Sequence, residues 1–169
     1  MPTIINPDSL VFKEDPNTLK EFKLKTLTPR LAEICGSKNL IFDIRQLDAG
    51  KYSFPYHFHR NAEELMMIIS GSFTLRSKDG LKIINKGELV FFEIGESGVH
   101  QFYNHTSIPC IYLDIRTSFG IDITEYPDSG KINILTFREV FEKHSKVDYN
   151  RGEDHIEDIW NELRKGRKD

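Results

Sequence analysis

The residues with the clearest chemical potential lie in the stretch PYHFHRNAEELMMIISG, residues 55 to 71. His57 and His59 are two residues apart, so on a β-strand they would point the same way about 7 Å apart, a separation at which two imidazoles can bind one metal ion. Glu64 follows a tight turn at the head of the next apolar run, so its carboxylate could return to the same point. His100, at the start of a later strand-like segment, is a fourth candidate ligand. This grouping predicts a metal site.

The segment that would position these side chains is predicted to be made of β-strands. Between about residues 38 and 117, short β-type runs alternate with turn signals such as Lys78-Asp79-Gly80 and Lys86-Gly87. The runs are NLIFDIRQL, KYSFPYHFH, ELMMIIS, SFTLRS, LKIIN, ELVFFE, VHQFYN and CIYLDIRT. Strands this short and this regularly spaced indicate an antiparallel sandwich or barrel.

Helices are predicted only on either side of this block. Thr28 as N-cap, Pro29 at the first helical position and Gly36 after RLAEIC predict one short helix. Thr136 and Glu139 have capping-box spacing and predict a second. A third is predicted by apolar residues at i, i+3, i+4 and i+7, namely Ile156, Ile159, Trp160 and Leu163.

The chain has the size of a single domain, with 169 residues of which 38% are hydrophobic. We divide it into an N-terminal extension with a short helix (1–37), a barrel (38–135) and a C-terminal helical segment with a charged tail (136–169). In ELMMIIS and ELVFFE both strand faces are apolar, so neither sheet can leave its outer side bare to water. Either the terminal segments or a second subunit would cover it, and we expect a homodimer.

Two stretches of the sequence resemble the two motifs of the cupin superfamily. The first motif is matched by Gly50, His57, His59, Glu64 and Gly71, with six rather than the usual five residues before His57. The second is matched by Gly87, Gly95, His100 and Asn104, with Glu93 in place of a proline and four rather than two residues between Gly95 and His100. The longer spacer and the TEYPDSGK and VDYNRGE stretches are similar to a subgroup of small single-domain bacterial cupins, most of which have no assigned reaction.

This resemblance implies an all-β fold, the double-stranded β-helix or jelly-roll barrel, with short flanking N- and C-terminal helices. It also implies one divalent metal per subunit, held by His57, His59, Glu64 and His100. Three neutral imidazoles and one carboxylate leave a divalent ion with a net charge near +1 and, if it is six-coordinate, about two open positions. Such a ligand set accepts Zn, Mn, Fe or Ni, so the sequence does not fix the metal.

Strand parity extends the predicted site to residues that would share a face with the ligands. A polar row on one strand, Tyr112, Asp114 and Arg116, would either contact substrate or form a solvated or interface face. The candidate substrate-binding residues are Ser53, Met66, Ile68, Phe102, Tyr112 and Arg116. They predict a mostly apolar pocket around one cation, suited to a small molecule with one or two oxygen donors.

Asn104, the loop carboxylates and the remaining histidines are not among the predicted metal ligands. Asn104 is expected to hydrogen-bond a turn near the site rather than to bind metal. Glu93 or Glu96 could serve as a general base near the mouth, although exposed loop glutamates usually have no such role. The other histidines lack partners at useful spacing and are expected at the surface: His105, His144 and His155.

Composition and charge exclude several classes of function. The formal net charge is -3, with 23 basic and 26 acidic residues mixed along the chain, unlike the one-sided basic surface of a nucleic-acid-binding protein. No apolar stretch approaches the ~20 residues of a membrane helix, and the N-terminus lacks signal-peptide features, so we predict a cytoplasmic protein with a small-molecule partner. Three functions stay open: a Lewis-acid isomerase or epimerase, a non-haem dioxygenase, and a non-catalytic module that binds or senses a small ligand.

Overall fold

The computed structural model describes residues 1–166, so the last three residues of the predicted charged tail lie outside the described part of the chain. The strands are β1 (Val11–Glu14), β2 (Leu24–Thr28), β3 (Leu40–Leu47), β4 (Phe58–His59), β5 (Glu64–Ser70), β6 (Ser72–Ser77), β7 (Gly80–Asn85), β8 (Leu89–Phe92), β9 (His100–Tyr103), β10 (Cys110–Thr117), β11 (Ile123–Tyr126), β12 (Lys131–Ile134) and β13 (Glu139–Glu142). The helices are α1 (Leu31–Ile34) and α2 (Ile156–Lys165).

The strands form three antiparallel sheets that together make the barrel. The largest has the order β1-β2-β3-β10-β5-β8, and the smaller ones have the orders β13-β12-β11-β4 and β7-β6-β9. Neighbours in the sheets are distant in sequence, as β3 with β10 and β5 with β8, which is what a jelly roll requires. The predicted all-β fold with short flanking helices is confirmed.

The barrel is filled by one buried apolar cluster. At its centre the rings of Phe73, Phe102 and Tyr112 pack with centroids 5.3 to 5.6 Å apart. Gly71 lets β5 turn into β6 against this cluster, because its φ is +84° and a Cβ there would lie 2.3 Å from the Sγ of Cys110. The cluster consists of Leu24, Leu47, Met66, Ile68, Phe73, Leu75, Ile84, Phe92, Phe102, Cys110 and Tyr112.

The N-terminal helix is shorter than predicted, and two strands precede it. Thr28 does not cap the helix, because it is the last residue of β2 and pairs with Val11 of β1. Arg30 occupies the N-cap, and the helix begins at Leu31. Strand β2 pairs with β3, so part of the N-terminal extension belongs to the main sheet. The short runs VFKE and LKTLT gave too little periodicity to predict this hairpin.

The predicted helix at Thr136 is wrong. Thr136 lies in a turn, and residues from Glu139 onward form β13, which pairs with β12. The alternating sequence EVFE fits a strand, and four residues after a capping box are too few to stabilise a helix by themselves. The predicted final helix is confirmed as α2.

The run KYSFPYHFH was also predicted as a strand, but only Phe58 and His59 form one. Its earlier part is irregular and touches β9 through isolated bridges, including one between His57 and His100. Pro55 lies in the middle of this part and has no N–H to donate to a ladder.

The outer side of the main sheet stays partly bare in the described chain. Leu65 is 36%, Phe91 55% and Leu89 62% exposed. The apolar residues of α2 are exposed as well, so this helix does not cover them with its own apolar side. Among residues 1–166, no helix has the length and apolar character needed to cross a membrane.

The four-stranded sheet carries a buried acid on one of its inner strands. Glu125 of β11 is 5% exposed and accepts hydrogen bonds from Arg60 and Lys143. Burial opposes ionisation of Glu125, but the hydrogen bonds from Lys143 and Arg60 outweigh it and lower its pKa. This ion group links the segment after β4 to the residue that follows β13.

Candidate metal centre

The four predicted ligands are brought to one end of the barrel by four different segments. The backbones of His57 and His100 exchange hydrogen bonds of 3.1 and 2.9 Å, which places these residues side by side. His59 follows on β4, and Glu64 opens β5. Ligand atoms of His57, His59 and Glu64 all lie within 4.8 Å of one another, and all three residues are buried.

His100 lies beside this group of three. Its Nε2 is 3.2 Å from Oε2 of Glu64, and its ring centroid is 4.6 Å from that of His57. Phe92 stacks on the same imidazole with a centroid distance of 3.7 Å, which fixes the plane of the ring. The structure therefore brings all four predicted ligand residues together.

The hydrogen bonds made by Nδ1 of each imidazole determine which nitrogen is free. Carbonyl and carboxylate oxygens accept hydrogen bonds, so each Nδ1 donates, and in the neutral ring Nε2 then carries a lone pair. The Nδ1 partners are the carbonyl of Pro55 for His57 at 2.8 Å, Oδ2 of Asp122 for His59 at 2.5 Å, and the carbonyl of Gly98 for His100 at 2.9 Å. Partners of this kind orient histidines that bind metal through Nε2.

Two polar atoms at the centre of the group have no hydrogen-bond partner. They are Oε2 of Glu64 and Nε2 of His100, both buried, and when the His100 ring is neutral with its proton on Nδ1 they face each other as two acceptors. A buried acceptor without a donor is costly, and a cation between the two satisfies both. The donor set of three imidazole nitrogens and one carboxylate fits a divalent transition metal.

The electrostatics of the site favour positive charge at this point. Burial and the neighbouring His100 lower the pKa of His57 to about 3, so its imidazole is neutral and can act as a ligand. Burial disfavours a charged His59, but hydrogen bonds to Asp122 and Glu64 outweigh it and raise its pKa to about 9. Burial also opposes ionisation of Glu64, yet His100 and His59 hold its pKa well below the usual range. A proton or a metal ion can supply the positive charge.

The group opens into a cavity of about 310 Å³ that is rich in charged side chains. Arg45 donates from Nε to Oδ2 of Asp114 at 2.5 Å, and both residues are buried. Arg116 lies 3.3 Å from the carboxylate of Asp122 that orients His59. Residues lining the cavity include Arg30, Arg45, His57, His59, Glu64, Asp114, Arg116, Thr124 and Tyr126. We call this cavity the metal pocket.

Comparison with known proteins gives a family match for the part of the chain that holds these residues. Residues 44–116 match the model of the family described as "Cupin domain". The chain contains a cupin domain. The matched range holds the four predicted ligands, and no curated protein matches the chain.

Solved structures share the fold at low sequence identity. A sugar phosphate isomerase from a cupin superfamily of Silicibacter pomeroyi is 19% identical, with a TM-score of 0.74 over 88% of this chain and 98% of the other. A predicted oxalate decarboxylase from Thermotoga maritima is 16% identical, with a TM-score of 0.59 over 69% of this chain and 100% of the other. The polyketide cyclase RemF from Streptomyces resistomycificus is 19% identical, with a TM-score of 0.56 over 69% of this chain and 80% of the other. Three different reaction names on one fold mean that function must be argued from the site.

The predicted substrate-binding residues lie in three different environments. Arg116 lines the metal pocket, and Ser53 lines a neighbouring cavity. The other four lie in the core, between 0% and 2% exposed, and do not line the pocket: Met66, Ile68, Phe102 and Tyr112. Strand parity correctly predicted that these four side chains point inward. They pack in the core and do not reach the cavity, so the pocket is more polar than predicted.

Several pocket residues were not identified from the sequence. Arg45 is preceded by Asp43 on the same face of β3, and Asp43 pairs in register with Asp114 of β10. The period-2 pattern of DIRQL contained that signal, because a charged face on a central strand must find a partner or a cavity. The contributions of Arg30, from the N-cap of α1, and of Tyr126, from β11, depend on tertiary contacts that no local pattern encodes.

Asn104 holds a turn and the histidines outside the ligand group lie at the surface, as predicted. The Nδ2 of Asn104 donates to the carbonyls of Leu47 and Ile108, and its Oδ1 accepts from Thr106, so this side chain holds a turn. His105, His144 and His155 are exposed. Glu93 and Glu96 are exposed too, and neither lines the metal pocket.

Proposed function

We propose that this cupin is a metal-dependent enzyme that acts on a small, anionic, oxygen-rich metabolite such as a sugar phosphate or a hydroxy or keto acid. The observation that carries the proposal is the pair of unsatisfied acceptors, Glu64 Oε2 and His100 Nε2, of which Glu64 lines the metal pocket. In this proposal His57, His59, Glu64 and His100 hold one ion of Zn, Mn, Fe or Ni. When bound, the ion supplies Lewis acidity, or with a redox-active metal an oxygen-activating centre.

The walls of the pocket suit an anionic substrate. Arg30 and Arg116 bring guanidinium groups to the cavity, and such groups bind carboxylates and phosphates in a bidentate manner. Tyr126 stacks near His57, with ring centroids 6.0 Å apart, and closes one side. A substrate oriented by these groups would present its oxygen atoms to the ligand end of the pocket.

Asp114 is our choice for the residue that moves a proton. Burial raises its pKa, and the charge of Arg45 opposes this rise. A carboxylate with a raised pKa is a stronger base than an exposed one, and Asp114 lines the pocket without belonging to the ligand set. The role suits an isomerase, where a proton moves between neighbouring carbons. The structural similarity to a sugar phosphate isomerase is consistent with this choice.

The test compares metal-loaded protein with a His57→Ala, His100→Ala double variant and with His105→Ala as a surface control. Each is assayed for turnover and for thermal stabilisation with sugar phosphates, keto acids and diols. Turnover by the wild type and His105→Ala that is lost in the double variant supports an enzyme. Ligand-induced stabilisation with no turnover would instead identify a non-catalytic binding or sensing cupin.

We further propose that the protein is a cytoplasmic homodimer with a small-molecule partner and no nucleic-acid partner. The bare apolar side chains Leu65, Leu89 and Phe91 support a second subunit on the main sheet. Phe91→Glu should shift the protein to a monomer in light scattering, whereas Leu81→Glu, on another sheet and 75% exposed, should not. A wild-type monomer at micromolar concentration would contradict the proposal.

A further inference from the structure

A second cavity of about 540 Å³ adjoins the metal pocket. The two cavities share three lining residues, Arg30, Arg45 and Phe54. Phe54 marks the boundary, because its ring packs edge-on against the ligand residue His57 at a centroid distance of 5.9 Å. We call this second space the flanking cavity. One molecule of moderate length could occupy both.

The flanking cavity has walls of a different chemical character. Its apolar surface comes from the 15–26 segment and from the loop that carries the first histidines, through Leu19, Phe22, Leu24, Phe54, Pro55 and Tyr56. Three of these are aromatic. Burial against such a surface favours an apolar ring rather than a bare sugar or phosphate.

Most polar groups in the flanking cavity already have partners within the protein. Asp128 forms a bidentate pair with Arg76 at 2.6 and 2.9 Å, and Arg45 is held by Asp114. The hydroxyl of Ser53 accepts a hydrogen bond from the backbone of Phe102. These groups therefore already form hydrogen bonds within the protein and do not require a polar ligand.

Positively charged residues nevertheless line the cavity. Arg30 stands at the junction with the metal pocket, and Lys131 contributes from β12. Asp15 is the acidic lining residue outside the pair with Arg76, and its Oδ1 accepts from the backbone of Asn17. A ligand with its negative charge near Arg30 and its apolar part beyond Phe54 matches this distribution.

We infer that the flanking cavity binds an apolar ring carried by the same anionic ligand whose oxygen atoms enter the metal pocket. The inference rests on the proposed function and narrows its substrate class from a bare sugar phosphate or short keto acid to an anion with an aromatic substituent. Full burial of a phenyl group should strengthen binding by roughly tenfold to a hundredfold.

Calorimetric titration of matched ligand pairs tests the inference. Phenylpyruvate is compared with pyruvate, and phenyl phosphate with inorganic phosphate, on manganese-loaded and metal-free protein. Leu19→Trp places a larger side chain at a cavity-lining position that is 68% exposed, so it should fold normally. Thr26→Tyr does the same from β2, where pairing with β3 fixes the direction of the side chain. Leu81→Trp is the matched surface control.

The expected result is a preference of at least tenfold for the phenyl ligands, lost in Leu19→Trp and Thr26→Tyr and kept in Leu81→Trp. Equal affinity within each pair, or a preference that survives both cavity variants, overturns the inference even if the protein binds metal and turns over other substrates. Absence of metal uptake together with a phenyl preference that both cavity variants abolish would refute the proposed function and leave the cavity assignment standing.

Discussion

Replacing Asp122 by asparagine tests how the fold prepares His59 to bind metal. Both carboxylate oxygens are used, since Oδ1 accepts from the backbone N–H of Asn61 at 3.1 Å and Oδ2 accepts from Nδ1 of His59 at 2.5 Å. Burial opposes ionisation of Asp122, but the hydrogen bond from His59 outweighs it and lowers its pKa. An asparagine has one acceptor oxygen in place of two.

The magnitude follows from that loss. If the amide oxygen keeps its bond to Asn61, the NH2 group faces Nδ1 of His59 and favours the tautomer with the proton on Nε2, which cannot bind metal. If the oxygen turns to His59, two donors face each other at Asn61. Loss of a partner that orients a metal-binding histidine typically weakens metal affinity 10- to 100-fold, or about 1.4 to 2.7 kcal/mol.

The assay is a competition titration of Zn²⁺ between the protein and a chromophoric chelator at pH 7.5. Asp128→Asn is the matched control, because Asp128 is an exposed aspartate paired with Arg76 and outside the metal pocket. Zinc affinity should fall in Asp122→Asn and stay unchanged in Asp128→Asn. Equal affinities in the two variants would refute the assigned role of Asp122.

Two further predictions concern stability. Gly71→Ala should lower the free energy of unfolding by roughly 2 to 5 kcal/mol, because the new side chain would be strained in the left-handed region and would overpack against Cys110. Gly36→Ala is the control, since Gly36 has open space around it, and it should lower the free energy of unfolding by only about 1 to 2 kcal/mol. Urea unfolding measures both values, and equal losses would contradict the close approach of Gly71 to Cys110. The pKa of Glu125 is lower in the folded than in the unfolded state, so its stabilisation is present above the unfolded pKa of about 4.3 and is lost as pH falls through the folded value. Glu125→Gln should therefore lower the free energy of unfolding by about 1 kcal/mol at pH 7 and by almost nothing near pH 2. Glu142→Gln, at an exposed position, is the control. A loss of stability that is independent of pH would refute this prediction.

The central strands and the ligand residues could be predicted from the sequence because their signals are local. Turn residues bracket each strand from β5 to β10, and the spacing of His57, His59 and Glu64 encodes their convergence. Strand parity also predicted correctly that the side chain of Met66 points inward. It could not tell whether an inward residue reaches a cavity or the packed core, since that depends on how deep in the barrel the residue lies.

The elements that were missed or misread depend on distant partners. Strand β2 is defined by its pairing with β3, about twenty residues later, and β13 by its pairing with β12, which overrides the capping-box pattern at Thr136. The metal pocket likewise takes Arg30 from the N-terminal extension and Tyr126 from a segment beyond the predicted strands. These contacts join segments that carry no strong periodicity of their own.

The most direct test of the account is the metal content of protein purified without chelators and then reconstituted with Mn²⁺, Fe²⁺, Ni²⁺ or Zn²⁺. We predict close to one divalent ion per chain by elemental analysis, falling to near zero in His59→Ala and Glu64→Gln and unchanged in His144→Ala, an exposed histidine. Protein that is folded yet takes up none of these ions would contradict the claim that the four buried side chains form a metal site.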